Sequence, residues 1–367
     1  MRAALIRLGF QKLTAVQELC IPQASAGRDI LAQASTGSGK TAAYLIPVLE
    51  SLPLQSEKKH SVQALILCPS RELAMQIAEV SRTLLSGREG IRTALLCGGT
   101  DLRMQIRSFH NGADVVVGTP GRILEHLRRH TLKPQECRTL VLDEADEMLS
   151  MGFLESIRTI SGQLPDHQTM LFSATYPEPV QNLARSLLHD PFECHLASDS
   201  EKQQHADQYY LFAAGRDRLP LLRRILKEAH PAQAIVFCNT RHECDGVQRN
   251  LSECGFAAET IHSEMDQKVR TRIMKSFRAG SLPVLVATDV AARGLDIGAV
   301  ELVINLEFPE EAQSYVHRIG RTGRREKPGK AVTFLAPGQN DKRLLMKQLT
   351  GQDAALWPHP AAGKKQR

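Results

Sequence analysis

Short apolar runs alternate with stretches of helical periodicity through the first half of the chain. The runs occupy residues 64–68, 93–97, 114–117, 139–142 and 169–173. Between the first two runs, four apolar residues recur at the spacing of one helix face: Leu73, Ile77, Val80 and Leu84. This alternation predicts a parallel sheet that is covered by helices on both faces.

The second half repeats the pattern, with apolar runs at 234–238, 257–261, 283–287, 301–306 and 331–335. The polar segment 198–207 separates the halves and is the predicted linker. We therefore predict an α/β protein with two similar domains, residues 1–197 and 208–350. Residues 351–367 contain the lone tryptophan, two prolines and a basic end, which predicts a short flexible tail.

Composition narrows the class of protein. The chain has 367 residues, of which 42% are hydrophobic and 23% charged, and its net charge is +6. No apolar run approaches the roughly 20 residues that cross a bilayer, and the N-terminus lacks the apolar core of a signal peptide. The eight cysteines form no zinc-ligand spacing, and several lie in apolar runs, as buried thiols do in a reducing compartment. These features predict a cytoplasmic protein with no membrane partner.

The first candidate for chemistry is a loop of small residues after the apolar run 29–32. Its sequence is Ala34-Ser35-Thr36-Gly37-Ser38-Gly39-Lys40-Thr41, and a helical stretch follows. Strand, tight loop and helix form the context that a phosphate-binding loop requires, because backbone N–H groups can then wrap a triphosphate. Lys40 would hold the β- and γ-phosphates and Thr41 would ligate Mg²⁺, although the usual first glycine is Ala34. The alternative is an ordinary Gly/Ser turn before a surface helix.

Two carboxylates follow the predicted strand 139–142. Asp143 and Glu144 stand at its carboxyl end, which is the edge of an open α/β sheet where ligands bind. Asp143 could hold Mg²⁺, and Glu144 could orient or deprotonate the attacking water. An acidic pair after a strand is often only a solvated helix start, but the upstream phosphate loop favours the functional interpretation.

With the phosphate loop, Asp143-Glu144-Ala145-Asp146 resembles the DEAD-box family of ATP-dependent RNA helicases, and the family's motifs follow in order over nearly the whole chain. Near the start, Phe10 and Gln17 resemble the adenine-recognising motif, which implies that Gln17 reads the adenine edge and Phe10 packs against the base. The family usually has proline at the place of Leu13, and an aromatic residue at a position that would precede Met1. These departures imply either a misplaced start or looser adenine binding.

Further stretches of the first half resemble the RNA-contacting and coupling motifs of the family. The resemblance implies RNA binding by Ser70, Arg71, Gly98, Gly99, Thr119 and Arg122, and coupling of ATP to strand separation by Ser173 and Thr175. Small and hydroxyl residues suit this role because their N–H and O–H groups can bind phosphates without reading bases.

In the second half, segments 235–241, 267–270, 287–296 and 317–324 resemble the remaining motifs. The resemblance implies the following roles: Arg270 and Thr288 bind RNA, Asp296 contacts the ribose, His317 links to Glu144, and Arg321 and Arg324 are arginine fingers. Arginine suits the last role because its planar fork stays charged and donates bidentately. The segment 318–325 also places Arg318 and Arg325 close to these arginines in the sequence. The alternative interpretation of this arginine cluster is a solvated basic face.

The resemblance implies two RecA-like domains that bind ATP, Mg²⁺ and RNA. We predict a monomer whose targeting resides in protein partners or in the short basic tail. Few aromatic residues are present, so no base-stacking platform is indicated and RNA contacts should be independent of base sequence. Three other functions share some of these features: an ATP-gated RNA clamp or RNP-remodelling scaffold, a DNA-translocating helicase, and a small-molecule P-loop kinase. The kinase leaves the second half unexplained.

Overall fold

A computed structural model of the chain describes residues 2–35, 37–53, 61–88, 90–108, 112–196, 206–262, 264–289, 300–323 and 329–358. The chain forms two compact units, Met1–Ser198 and Asp199–Arg367. Within the described ranges, no helix is long and apolar enough to cross a membrane.

The first unit is a seven-stranded sheet in which every strand pair is parallel. Its strands are β1 (Ile30–Gln33), β2 (Ala64–Leu67), β3 (Thr93–Leu96), β4 (Val115–Gly118), β5 (Thr139–Asp143), β6 (Gln168–Ser173) and β7 (Phe192–His195). They lie in the order β3-β4-β2-β5-β6-β1-β7.

Helices cover both faces of this sheet. They are α1 (Arg2–Arg7), α2 (Ala15–Ser25), α3 (Lys40–Ser51), α4 (Arg71–Leu84), α5 (Leu102–Ser108), α6 (Pro120–Arg128), α7 (Ala145–Ser150), α8 (Leu154–Ser161) and α9 (Glu178–Leu187). Two apolar clusters, one on each face, form the core. On α4, Leu73, Ile77 and Leu84 are buried and Val80 packs against the core, which confirms the predicted helix face.

The second unit has the same topology. Its strands are β8 (Ala206–Phe212), β9 (Ala234–Phe237), β10 (Ala258–Ile261), β11 (Val284–Ala287), β12 (Leu302–Asn305), β13 (Gly329–Leu335) and β14 (Ala355–Leu356). Its described helices are α10 (Arg218–Ala229), α11 (Arg241–Glu253), α12 (Gln267–Arg278), α13 (Ala312–Ile319) and α14 (Asn340–Thr350). The strand order β10-β11-β9-β12-β13-β8-β14 repeats that of the first unit when the strands are counted from β8.

Three strands depart from the sequence prediction, which identified the apolar runs correctly. β7 and β8 were not predicted, and β8 begins at Ala206, inside the segment predicted as linker. β14 lies in the segment predicted as a flexible tail, where Ala355 and Leu356 pair with β8 and the Trp357 ring contacts Tyr209. The predicted tail was therefore wrong for these residues, and the second unit extends beyond 208–350 at both ends. β7 and β14 lack the continuous apolar run that marks a buried strand, and β8 has such a run only from Tyr209 onward, after the polar residues Asp207 and Gln208.

The strand order sorts the motifs along the carboxyl edge of the first sheet. The phosphate loop, the acidic pair and Ser173 follow β1, β5 and β6, which are neighbours in the sheet. The predicted RNA-binding stretches follow β2, β3 and β4, which occupy the other half. The fold therefore places two groups of motifs side by side at one edge.

Candidate nucleotide and RNA site

The phosphate loop has the backbone conformation that its glycines permit. Gly37 and Gly39 have φ of 82° and 96°, in the left-handed region that other residues rarely adopt. Lys40 begins α3, and its buried Nζ donates to the Ala34 carbonyl at 2.7 Å. The ammonium therefore lies against the loop, where it can bind a phosphate that takes the place of this carbonyl.

Gln17 supports the same loop from α2. Its Nε2 donates to the Gly39 carbonyl at 3.0 Å, and its Oε1 accepts from the Thr14 backbone at 3.0 Å. A Cβ at position 39 would stand 2.4 Å from Gln17 Nε2, so the contact itself requires glycine. The Gln17 amide has a second N–H and a second lone pair that these contacts do not use. Adenine recognition by Gln17 therefore stays a prediction. Phe10, the other predicted adenine contact, is half-buried in the turn after α1.

Asp143 ends β5 in a fully buried environment behind the loop. Its Oδ2 accepts from the Tyr44 hydroxyl at 2.8 Å, and Tyr44 lies one turn along α3 from Lys40. Burial raises the pKa of Asp143, while the charge of Lys40 and the Tyr44 hydrogen bond act in the opposite direction. Burial, followed by the charge of Asp143, raises the pKa of Tyr44 well above its ordinary value, and a hydrogen bond from Thr41 opposes this shift. The Tyr44 hydroxyl thus contacts one predicted Mg²⁺ ligand, Asp143, and lies on the helix that carries the other, Thr41.

The residues present fit a hard divalent cation. Asp143 Oδ1 is buried and has no hydrogen-bond partner among the described residues. Such a group is costly to leave unsatisfied, and carboxylate and hydroxyl oxygens are the ligands that Mg²⁺ prefers. Thr41 supplies the hydroxyl on the same helix as Lys40. Both predicted metal ligands therefore stand beside the loop that would hold the phosphates.

Glu144 has a conformation that indicates strain. It precedes α7 with φ 55° and ψ 54°, a left-handed backbone that costs a residue with a side chain roughly 1–3 kcal/mol. Strain of this kind concentrates at functional sites. Asp143 is the last residue of β5, and the left-handed backbone of Glu144 ends the extended conformation of the strand.

Asp146 joins the acidic motif to the predicted coupling residues. Its Oδ2 accepts from the Thr175 amide at 2.8 Å and the Thr175 hydroxyl at 2.7 Å, and its own amide donates to Ser173 Oγ at 3.2 Å. The Ser173 carbonyl in turn accepts from the Ala34 amide at 3.0 Å. A continuous chain of hydrogen bonds therefore runs from the phosphate loop through Ser173 to Asp146.

The predicted RNA-binding residues after β2 and β3 contact each other. Ser70 caps α4, since its Oγ accepts from the Leu73 amide at 3.2 Å. Arg71 Nη1 donates to the Gly98 carbonyl at 3.2 Å, and a Cβ on Gly99 would stand 2.8 Å from that nitrogen. The structure thus brings Ser70, Arg71 and the glycine pair together.

Thr119 and Arg122 begin α6, after β4. Thr119 precedes Pro120 at the helix start in an extended conformation, so this helix N-terminus is well defined. The Arg122 guanidinium donates to the Thr100 carbonyl at 3.0 Å and to Gln105 Oε1 at 2.8 Å, and it pairs with Glu125 at 3.2 Å. Most of its hydrogen-bonding capacity is therefore directed at its own helix, at α5 and at the Thr100 carbonyl.

In the second unit, Arg318 is buried and each of its side-chain nitrogens has a hydrogen-bond partner. Its guanidinium donates to both oxygens of Asp289 at 2.6 and 2.7 Å, to Asn239 Oδ1 at 2.8 Å, and to the Glu307 carbonyl at 3.1 Å. It also lies over the Phe237 ring, 5.2 Å from the centroid. Arg318 therefore does not belong to a solvated basic face, which was the alternative interpretation of the arginine cluster in the sequence.

The other predicted residues of the second unit lie at the ends of its helices and strands. His317 and Arg321 are half-buried at the end of α13, and the Arg321 carbonyl accepts from the Val300 amide at 3.0 Å. Thr288 is buried after β11, and Arg270 lies on the first turn of α12. Three predicted site residues lie outside the described residues: Thr36, Asp296 and Arg324.

Sequence reasoning assigned no role to Tyr44, Asp146, Gln105 or Arg318. Tyr44 carries a weak signal, because a hydroxyl one turn after Lys40 is aimed at the same ligand edge. Asp146 stands inside the quoted acidic motif, yet its partner Thr175 follows a different strand. These residues contact partners that are distant in the sequence, so no local sequence pattern predicts the contacts.

Comparison with known proteins covers almost the whole chain. The DEAD/DEAH box helicase family model matches residues 14–183, and the helicase conserved C-terminal domain matches residues 217–326. The ATP-dependent RNA helicase CshA of Listeria monocytogenes is 41% identical over 364 residues, which are 98% of this chain and 69% of that protein. The chain belongs to the DEAD-box family. The DEAD-box ATP-dependent RNA helicase CshA of Geobacillus kaustophilus is 42% identical over 335 residues, 91% of this chain and 71% of that protein.

Solved structures show the same fold for this DEAD-box chain. Dbp5 of S. cerevisiae bound to RNA and ADP BeF3 is 29% identical, with a TM-score of 0.85 and coverage of 97% of this chain and 92% of that chain. Mss116p bound to ssRNA and AMP-PNP is 28% identical, with a TM-score of 0.85 and coverage of 97% and 77%. The two units are thus RecA-like, and the chain is an ATP-hydrolysing RNA helicase.

Proposed function

We propose that this helicase binds ATP with Mg²⁺ in the first unit and that RNA at the same sheet edge stimulates hydrolysis. The observation that carries the proposal is the environment of Asp143. A buried carboxylate oxygen without a hydrogen-bond partner among the described residues stands behind a glycine-rich loop with a buried lysine. A cation held by the phosphates of a nucleotide would satisfy this oxygen.

Each residue of the nucleotide site has a distinct task. Lys40 neutralises phosphate charge, while Thr41 and Asp143 hold the metal ion. When bound, Mg²⁺ would neutralise charge on the phosphate oxygens. Glu144 orients and deprotonates the attacking water, and Tyr44 keeps the Asp143 carboxylate in one orientation.

RNA would be bound through its backbone. Ser70, the Gly98–Gly99 pair and Thr119 offer amide and hydroxyl groups at neighbouring strand ends, and such groups bind phosphates without reading the bases. The RNA-bound structures of Dbp5 and Mss116p support this assignment, because they share the fold. We expect little preference for base sequence.

Residues of the second unit would also bind both ligands. Arg321 and Arg324 supply charge to the transferring phosphate, Asp296 contacts the ribose, and Arg270 and Thr288 bind RNA. A ligand that binds residues of both units stabilises the state in which both units contact it. Each ligand therefore lowers the cost of that state for the other, and this coupling is reciprocal.

Titration of a fluorescent ATP analogue, with and without saturating RNA, tests this coupling. In the wild type, RNA should tighten nucleotide binding by about 1–3 kcal/mol. Arg321→Ala should lose most of that gain and most RNA-stimulated hydrolysis, while its nucleotide affinity without RNA changes little. Equal affinity with and without RNA in the wild type would contradict the proposal.

A second candidate function is an ATP-gated RNA clamp that remodels RNA–protein complexes with little unwinding. It uses the same residues, and the hydrogen-bonded path from Ala34 through Ser173 to Asp146 serves either activity. A duplex-release assay separates them when it is run beside a measurement of RNA dwell time. A helicase releases the strand within one ATP-bound dwell, whereas a clamp stays bound without release.

A further inference from the structure

Gln105 lies beside two of the predicted RNA-binding segments of the first unit. It stands on α5, shortly after the Gly98–Gly99 pair, and only 5% of the residue is exposed. Its Nε2 donates to the Cys97 carbonyl at 2.8 Å. Because Cys97 directly precedes the glycine pair, Gln105 holds the base of the glycine loop from inside the protein.

The oxygen of the same side chain faces α6. Gln105 Oε1 accepts from Arg122 Nη1 at 2.8 Å, and the same nitrogen donates to the Thr100 carbonyl at 3.0 Å. His126 lies one turn after Arg122 and places its Nε2 3.2 Å from Gln105 Oε1. One buried amide therefore joins the glycine loop to the helix that begins after Thr119.

The partners determine the orientation of this amide. The Cys97 carbonyl only accepts and the Arg122 guanidinium only donates, so Nε2 must face Cys97 and Oε1 must face Arg122. His126 must then donate from Nε2, while its Nδ1 lies 2.9 Å from Thr131 Oγ1. Burial, reinforced by the charge of Arg122, lowers the pKa of His126, in agreement with a neutral ring.

We propose that Gln105 is a positioning residue for RNA binding, which holds the glycine loop and the first turn of α6 in the arrangement that a phosphate backbone requires. The inference rests on the proposed function, because it takes these two segments as RNA contacts. Without Gln105 the segments have to be ordered when RNA binds, and that ordering opposes binding. Residues of the nucleotide site follow β1, β5 and β6, so nucleotide affinity should not change.

The first test is RNA affinity of Gln105→Leu, measured by fluorescence anisotropy with a short single-stranded RNA and a non-hydrolysable ATP analogue. Leucine has a similar size but makes none of the three hydrogen bonds, so the Kd for RNA should rise about tenfold while the KM for ATP stays constant. Gln105→Glu keeps the oxygen that faces Arg122 and His126 but loses the donor to the Cys97 carbonyl, so it should also lower RNA affinity. If Gln105→Leu does not fold, Gln105→Met removes the same hydrogen bonds with an unbranched side chain.

Gln168→Leu provides a matched control. Gln168 begins β6 at the opposite edge of the sheet, where its Nε2 donates to the carbonyls of Ala24 at 2.9 Å and Arg28 at 2.6 Å. The substitution also removes hydrogen bonds from a glutamine to backbone carbonyls, so it should lower the melting temperature to a similar extent. Its RNA affinity should remain that of the wild type, and a matching loss would make the Gln105 effect one of general stability and overturn the inference.

A double-mutant cycle shows whether Gln105 acts through Arg122. If it does, Gln105→Leu should have little further effect on RNA affinity in the Arg122→Ala background. Equal fold-changes in both backgrounds, or normal RNA affinity of Gln105→Leu, would overturn the inference and leave the proposed function intact. Normal RNA affinity of Arg122→Ala as well would overturn the inference and also remove Arg122 from the proposed RNA site.

Discussion

Both units bury a charged group near the carboxyl edge of a sheet, but among the described residues only the group in the second unit has a hydrogen-bond partner for every polar side-chain atom. Asp143 in the first unit is 3% exposed, and one of its oxygens has no hydrogen-bond partner within the described residues. Arg318 in the second unit is 1% exposed and donates to Asp289, Asn239 and the Glu307 carbonyl. The two sheets have the same strand order, so the difference lies in the side chains.

This difference separates a functional charge from a structural one. Burying a charge costs several kcal/mol, and internal partners offset that cost only when they satisfy the whole group. Each side-chain nitrogen of Arg318 has a hydrogen-bond partner without any ligand, so we assign Arg318 to the stability of the second unit. One oxygen of Asp143 has no hydrogen-bond partner among the described residues. Unsatisfied buried groups in a cleft are typical of binding and catalytic sites.

The largest expected effect concerns catalysis in the first unit. Glu144→Gln removes the group that takes a proton from water, so the rate of ATP hydrolysis should fall by at least ~10²-fold while nucleotide affinity stays near that of the wild type. Lys40→Ala should instead weaken nucleotide binding, because it removes the phosphate counter-charge. Steady-state ATPase rates and analogue titrations distinguish these effects. Near-normal turnover in Glu144→Gln would remove Glu144 from the mechanism.

The next effect concerns stability of the second unit. Arg318→Ala leaves the half-buried Asp289 without its ion-pair partner and removes a large buried side chain, so the free energy of unfolding should fall by about 3–5 kcal/mol. The single tryptophan, Trp357, contacts Tyr209 in the second unit and reports its unfolding by fluorescence in urea. Tyr44→Phe, in the first unit, is the control and should leave this tryptophan transition unchanged. A transition of wild-type midpoint in Arg318→Ala would contradict the structural assignment.

Central strands of both sheets could be predicted because each is a continuous apolar run. The edge strands β7 and β14 could not, since most of their residues are partly or fully exposed and they carry no such run. The phosphate loop and the Asp143–Glu144 pair were recognisable because their residues are adjacent in the chain. The pairs Tyr44–Asp143 and Gln105–Arg122 were not, because their partners lie 99 and 17 residues apart and meet only in the folded sheet.

The smallest effect is a pH dependence confined to the first unit. Because the folded-state pKa of His126 is lowered, the unfolded chain binds its proton first as pH falls below about 6.5. The contribution of His126 to stability is therefore complete above that pH and is lost below it. Calorimetric melting of the wild type and of His126→Gln should diverge above pH 6.5 and converge as the solution is acidified. Curves that stay parallel between pH 8 and pH 5 would show that His126 is not buried as a neutral ring.

The central claim is that Asp143 is left unsatisfied because a nucleotide-bound cation completes it. The most direct measurement is binding of Mn²⁺, as a spectroscopic substitute for Mg²⁺, by electron paramagnetic resonance in the presence of a non-hydrolysable ATP analogue. Asp143→Asn should weaken Mn²⁺ binding by at least about tenfold, since a ligand oxygen loses its charge. Asp289→Asn, which alters the hydrogen bonds of Arg318 in the second unit, should leave Mn²⁺ affinity unchanged. Equal Mn²⁺ affinity in the wild type and Asp143→Asn would contradict the account.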